Sequence, residues 1–116
     1  MPPIDALSKV FSALADPTRR DIVARLSVAD ATVNQLAEPY RMSLQAVYKH
    51  LRVLEDAGVV SRSAGSQPRP VHLEAEALDL LDGWIERYRR QAEDRYQRLD
   101  GVLAAMDDSD DEEHRS

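Results

Sequence analysis

The side chains able to do chemistry in this sequence are grouped for recognition more than for bond-making. Ser43, Leu44, Gln45, Tyr48, Lys49 and Arg52 fall within one short stretch, with Arg41 just before it and Arg62, Gln67 and Arg69 beyond it. An amide and an ammonium suit the base edges of a major groove, whereas guanidinium groups suit phosphates, so the partner these residues imply is double-stranded DNA. No Gly-rich phosphate loop, framed carboxylate pair or Ser-x-x-Lys arrangement occurs, and no serine near His50 has the setting of an activated nucleophile. We therefore expect no catalytic residue, no cofactor and no enzyme activity. The three histidines, His50, His72 and His114, share no ligand spacing, and the chain has no cysteine, which removes disulfides and thiolate metal sites together. His50 reads as a half-buried helix residue with a local hydrogen bond. Arg19 and Arg20 sit in a first helical turn, where the dipole does not favour them; a phosphate contact and a local ion pair remain open.

The elements that must position these groups are mostly helical. Ser43 reads as the cap of a helix whose inward positions are Val47, Leu51 and Leu54, which turns Leu44, Gln45, Tyr48, Lys49 and Arg52 outward. Before it, Thr32 caps a short helix bearing Val33, Leu36 and Ala37, and Asp16-Pro17 opens another bearing Ile22, Val23 and Leu26. Gly58 falls where a left-handed C-terminal residue is needed. Residues 59–62 and 70–73 are strand-like and flank a turn composition at 64–68, so they predict one hairpin.

Two further helices have narrow apolar stripes. Ile4, Leu7, Phe11 and Leu14 form one. Leu78, Leu81, Ile85, Tyr88, Ala92, Leu99, Val102 and Met106 form the other, interrupted at Arg95. The second helix, residues 75–106, would be about 48 Å long and could not cover its own seam. Pairing with a second copy follows, through Ile4, Leu7, Phe11 and Leu14 on the first helix and Leu81, Trp84, Ile85, Tyr88, Ala92 and Leu99 on the last. The arginine run Arg87, Arg89, Arg90, Arg95 and Arg98 contains the i,i+4 pairs Glu86–Arg90 and Asp94–Arg98, so it reads as a solvated, salt-bridged face.

The 116 residues suit one domain, and their formal charge of −6 is unevenly placed. The last ten residues hold six acids against one arginine, while residues 41–72 hold five basic side chains against two acidic ones. We assign residues 1–106 to a DNA-binding and dimerisation domain and residues 107–116 to an acidic tail, expected to be disordered because it lacks apolar residues. No apolar run reaches membrane-span length and the N-terminus lacks a signal-peptide pattern, so no membrane partner and a cytoplasmic location are expected.

These segments, FSALADPTRRDIVARL followed by TVNQLAEPYRMSLQAVYKHLRVLEDAGVVSR, a short wing and a long helix, resemble the ArsR (arsenic repressor-like) family over roughly residues 7–100. The most specific stretches are Leu14–Arg20, entering the second helix, and Met42–Gly58 around the fourth. The resemblance implies a mainly α fold with one β-hairpin, a winged helix-turn-helix ordered helix–helix–helix–helix–strand–strand–helix, dimerising through its terminal helices. The departures are specific. The family commonly has Ser-Gln-Pro or Ser-Gln-Ser at the fourth helix start, with a serine four positions later; this chain has Ser43-Leu44-Gln45 and Tyr48. Its metal sensors carry Cys-x-Cys where Thr32 and Asn34 stand here, or Asp and His pairs on the last helix, where no histidine lies between His72 and His114. The expected function is a dimeric repressor on an imperfectly palindromic operator, with no metal site and an inducer, if any, unknown. The alternative is a winged-helix protein-interaction module that does not bind DNA, dimerises by its long C-terminal helix and uses its acidic tail on a basic partner.

Overall fold

The computed structural model describes residues 5–63 and 69–114, with side-chain surroundings through Asp107. Four helices begin at side-chain caps. Asp5 accepts the Ser8 N–H ahead of α1 (Ala6–Ala13) and Asp16 accepts the Arg19 N–H ahead of α2 (Pro17–Leu26), with Pro17 at the first helical position. Thr32 and Gln35 form a reciprocal capping box that opens α3 (Val33–Ala37), and Ser43 accepts the Ala46 N–H to open α4 (Leu44–Asp56). Gly58, at φ 76°, turns the chain out of α4 in a conformation that a side chain would strain.

The hairpin pairs β1 (Val60–Arg62) antiparallel with β2 (Val71–Leu73), with Ser61 opposite His72. β2 is also held on its other side. Val71 exchanges both backbone hydrogen bonds with Ala31, at 2.7 and 3.3 Å, so the loop before α3 acts as a one-residue third strand. A single residue has no alternation to betray it, and the sequence carries no signal for this bridge. α5 (Ala75–His114) follows.

The chain divides into two compact units, Met1–Leu81 and Asp82–Ser116. The first contains the aliphatic core: Val10 and Ala13 of α1, Ile22 and Leu26 of α2, Val33 and Leu36 of α3, and Val47, Leu51 and Leu54 of α4, closed by Val59, Val60, Val71 and Ala77. Each fully buried Leu, Ile or Val contributes about 1.5–3 kcal/mol relative to exposure. On α1 the innermost positions are Val10 and Ala13. Leu14 flanks the core, and Phe11 is exposed on the helix surface. Ile4 lies outside the described residues.

The second unit is helical from Asp82 through His114, so α5 passes Met106 and continues through residues 107–114, where composition predicted disorder. Neither proline nor glycine follows Gly101, so nothing removes a backbone donor or loosens the chain to stop the helix. Within this unit the Trp84 and Tyr88 rings meet at a 52° tilt one turn apart, centroids 4.8 Å apart, and Glu86 pairs with Arg89 and, at 3.1 Å, with Arg90. The predicted Asp94–Arg98 carboxylate pair is replaced by a bond from Arg98 Nε to the Asp94 carbonyl at 3.3 Å. No described helix is long and apolar enough to cross a membrane.

Candidate nucleic-acid interface

α4 separates two chemistries by its 3.6-residue period. Val47, Leu51 and Leu54 are fully buried, while Leu44, Gln45, Tyr48, Lys49 and Arg52 are exposed on the other side. The five outward residues are therefore those the pattern named. Ser43 contributes differently: its hydroxyl is engaged as the cap, 3.1 Å from the Ala46 nitrogen, and so fixes where the outward face begins. Arg41 is exposed in the turn between α3 and α4.

The wing meets this face through Arg62. Its Nε lies 2.8 Å from Glu55 Oε1 on α4, and its guanidinium stacks 5.3 Å from the centre of the Tyr48 ring. Arg62 is half-buried between the wing strand and α4, with its charge met by Glu55 and its guanidinium over the Tyr48 ring. Arg69, half-buried, leads into β2 on the other wing strand, and Gln67 lies outside the described residues.

The support behind α4 comes from arginines on α2. Arg19 donates from Nε to the Ala13 carbonyl at 2.5 Å and from Nη2 to the Ser12 carbonyl at 3.3 Å, and Arg20 donates to the Leu14 carbonyl at 2.8 Å. These are carbonyls at the C-terminal end of α1, where the helix dipole attracts cations, and the Ser12 carbonyl also accepts the Ala15 N–H at 3.2 Å. The same device recurs at α3, where Arg25 donates to the Leu36 and Gln35 carbonyls at 2.7 and 2.9 Å and stacks on Tyr40. The Tyr40 hydroxyl in turn bonds Asp21; burial first, then this carboxylate, raises the phenol above its ordinary range. In the free protein Arg19 and Arg20 thus cap a neighbouring helix.

Arg19 also reaches α4. Its Nη1 lies 3.3 Å from His50 Nδ1, which is 3.9 Å from Asp16 Oδ2. A guanidinium only donates, so Nδ1 is the acceptor; His50 is half-buried as expected, but its partner is not local in sequence, lying 31 residues away on α2. Asp16 is held below the usual carboxylate range, chiefly by the Arg19 N–H it caps. At the wing, His72 Nδ1 lies 2.9 Å from Asp30 Oδ1, and this bond raises the imidazole above its ordinary value.

The positions of the family's thiolate ligands have other roles here: the Thr32 hydroxyl accepts the Gln35 N–H at 3.2 Å, and Asn34 is exposed. Among the described residues no group of three or more His, Asp or Glu is arranged to hold a metal ion.

Comparison with known proteins agrees with this architecture. A helix-turn-helix domain family matches residues 14–62, from the entry of α2 through β1. The chain is 41% identical over 86 residues to YuzN, an uncharacterised HTH-type transcriptional regulator of Bacillus subtilis (strain 168), across 66% of this chain and 92% of that protein. It is 38% identical over 55 residues to the transcriptional repressor SdpR of the same bacterium, a match spanning 47% of this chain and 61% of SdpR. The crystal structure of an ArsR family transcriptional regulator superposes with a TM-score of 0.73 at 36% identity, covering 77% of this chain and 98% of that one. With this helix order, hairpin and polar α4 face, the chain belongs to the ArsR family of winged helix-turn-helix regulators, and it is a DNA-binding transcriptional regulator rather than an enzyme.

Proposed function

We propose that this regulator is a cytoplasmic homodimeric repressor that occupies an imperfectly palindromic operator, and that it does not sense metal through the ligand positions of its relatives. The observation that carries this reading is the outward face of α4, where Gln45 and Lys49 are free of intramolecular ion pairs among the described residues and stand beside Tyr48 and Arg52. Helices of this kind enter the groove N-terminus first, so Gln45, Tyr48 and Lys49 would sit deepest, with Arg41, Arg52 and Arg69 on phosphates. Two copies would present α4 to successive major grooves about 34 Å apart. Repression has a precedent in the relative SdpR.

The deciding experiment is selection and sequencing of genomic fragments bound by the purified protein, followed by gel shift on the recovered site. A palindromic site and a selective shift, unchanged by zinc, cadmium or arsenite, are expected. Absence of any selective shift, with or without residues 107–116, would leave the protein-interaction reading in its place. A metal-dependent change in affinity would overturn the metal-independent part alone.

A further inference from the structure

The wing and the outward face of α4 meet at three side chains, Tyr48, Glu55 and Arg62. Tyr48 is 43% exposed, and among the described residues its hydroxyl makes no hydrogen bond, so the phenol is open to a partner. One face of its ring is covered by the Arg62 guanidinium, 5.3 Å from the ring centre. Glu55, two helical turns beyond Tyr48 on α4, lies 2.8 Å from Arg62 Nε. Arg52 stands only three residues before Glu55, yet it forms no ion pair among the described residues. The carboxylate is taken by the wing.

Arg62 has little freedom to reach outward. Its side chain is 22% exposed, and its Nε is sealed from water without an aligned hydrogen bond, so the contact with Glu55 is an ion pair. To meet a phosphate it would have to uncover the ring and leave Glu55 uncompensated. Its backbone is held as well. Arg62 stands opposite Val71 in the hairpin, and Val71 exchanges hydrogen bonds on its far side with Ala31. A cation anchored at both backbone and side chain is suited to keep a neighbour still and ill suited to seek a distant anion.

We propose that Arg62 is a positioning residue for base readout: tethered by Glu55, it holds the Tyr48 ring in the orientation in which that ring contacts a base. This rests on the groove reading of α4 above and adds the wing residue that sets its specificity. An exposed tyrosine samples several side-chain rotamers and loses that freedom on binding, whereas a ring already covered on one face has less to lose. Only the base pair that the ring touches gains from this. A guanidinium suits the task because it is planar and meets the electron-rich face of the phenol ring.

The test uses the full-length protein and the operator recovered by genomic selection, with a set of duplexes each changed at one base pair. Removing Arg62 alone would also change the charge beside DNA, so the informative variant pairs Glu55→Gln with Arg62→Gln, which leaves the net charge unchanged. Fluorescence anisotropy should show this pair and Tyr48→Ala relaxing preference at the same base pair, the charge-neutral pair by about three- to tenfold, the cost of immobilising one side chain. Preference elsewhere along the operator should persist. Combined with Tyr48→Ala, the pair should add nothing at that position, because the ring it holds is gone. A loss spread evenly over all duplexes would make Arg62 a backbone contact, and additive losses would make the two sites independent; either overturns the proposal. Unchanged preference in the pair or in Tyr48→Ala would overturn it too, while leaving DNA binding intact. A native protein with no base preference would defeat the groove reading as well. Glu55→Gln alone, which leaves the wing sequence intact, is the second variant if circular dichroism shows the pair unfolded. It should relax the same base pair by a smaller factor, and full preference there would overturn the proposal.

Discussion

Gln45 and Lys49 differ from Arg69 in the kind of affinity each can provide. An amide or ammonium in the groove distinguishes base edges, whereas a guanidinium on the backbone meets the same phosphate in every sequence. Gln45→Ala with Lys49→Ala should therefore remove about 1–3 kcal/mol of discrimination per lost base contact, while Arg69→Ala should weaken operator and scrambled DNA alike. Fluorescence anisotropy on the two duplexes separates these outcomes, and equal losses for the first pair would refute the division. Arg62 shows where residue-level inference from composition stops. It carries the right charge at the right place in the wing, yet Glu55 lies 2.8 Å away and takes it up. Its guanidinium lies over Tyr48, and nothing in the spacing of residues 55 and 62 reveals that β1 returns alongside α4.

At the scale of elements, the caps were legible because they are local. Asp16, Thr32 and Ser43 each bond an N–H three residues away, within reach of any pattern read along the chain. The arginine caps were not, since Arg25 spans ten and eleven residues to its carbonyls. Arg25→Ala should cost about 1–3 kcal/mol in chemical denaturation, and Arg25→Lys should recover only part of it, because the two-carbonyl contact needs the guanidinium fork. The pairing of His72 with Asp30 ties β2 to the loop ahead of α3 and makes that tie pH-dependent. Because the folded imidazole is raised above its ordinary value, its stabilisation is complete below about pH 6.5 and is lost as pH rises through the raised value. Thermal unfolding of the native protein should show this decline on the alkaline side, and Asp30→Asn should abolish it; an unchanged profile in the variant would assign the decline elsewhere.

For the whole molecule, the formal charge of −6 is a poor guide to what the protein binds. The segment containing α4 and the wing is basic and the C-terminal end of α5 is acidic, so the total conceals two surfaces of opposite sign. If a dimer engages about six phosphates, log affinity for DNA should fall with log salt at a slope near −5. Titration across potassium chloride concentrations measures it directly, and a slope near zero would remove the arginines from the phosphate backbone.

By itself the sequence determined the helix starts, the hairpin, the inward face of α4 and, through its resemblance to known repressors, the family. Each of these depends on residue spacing within one element, and spacing is preserved whatever the rest of the chain does. Only the tertiary structure decided that Arg19, Arg20 and Arg25 cap other helices, that Ala31 completes the sheet beside Val71, and that Arg62 is engaged by Glu55. It also showed α5 continuing through His114, where composition had suggested disorder. The physical reason for most of these differences is range. A cap or an amphipathic period is set by neighbours three or four residues away, whereas an orphan carbonyl or a buried ion pair takes whichever donor the fold carries to it.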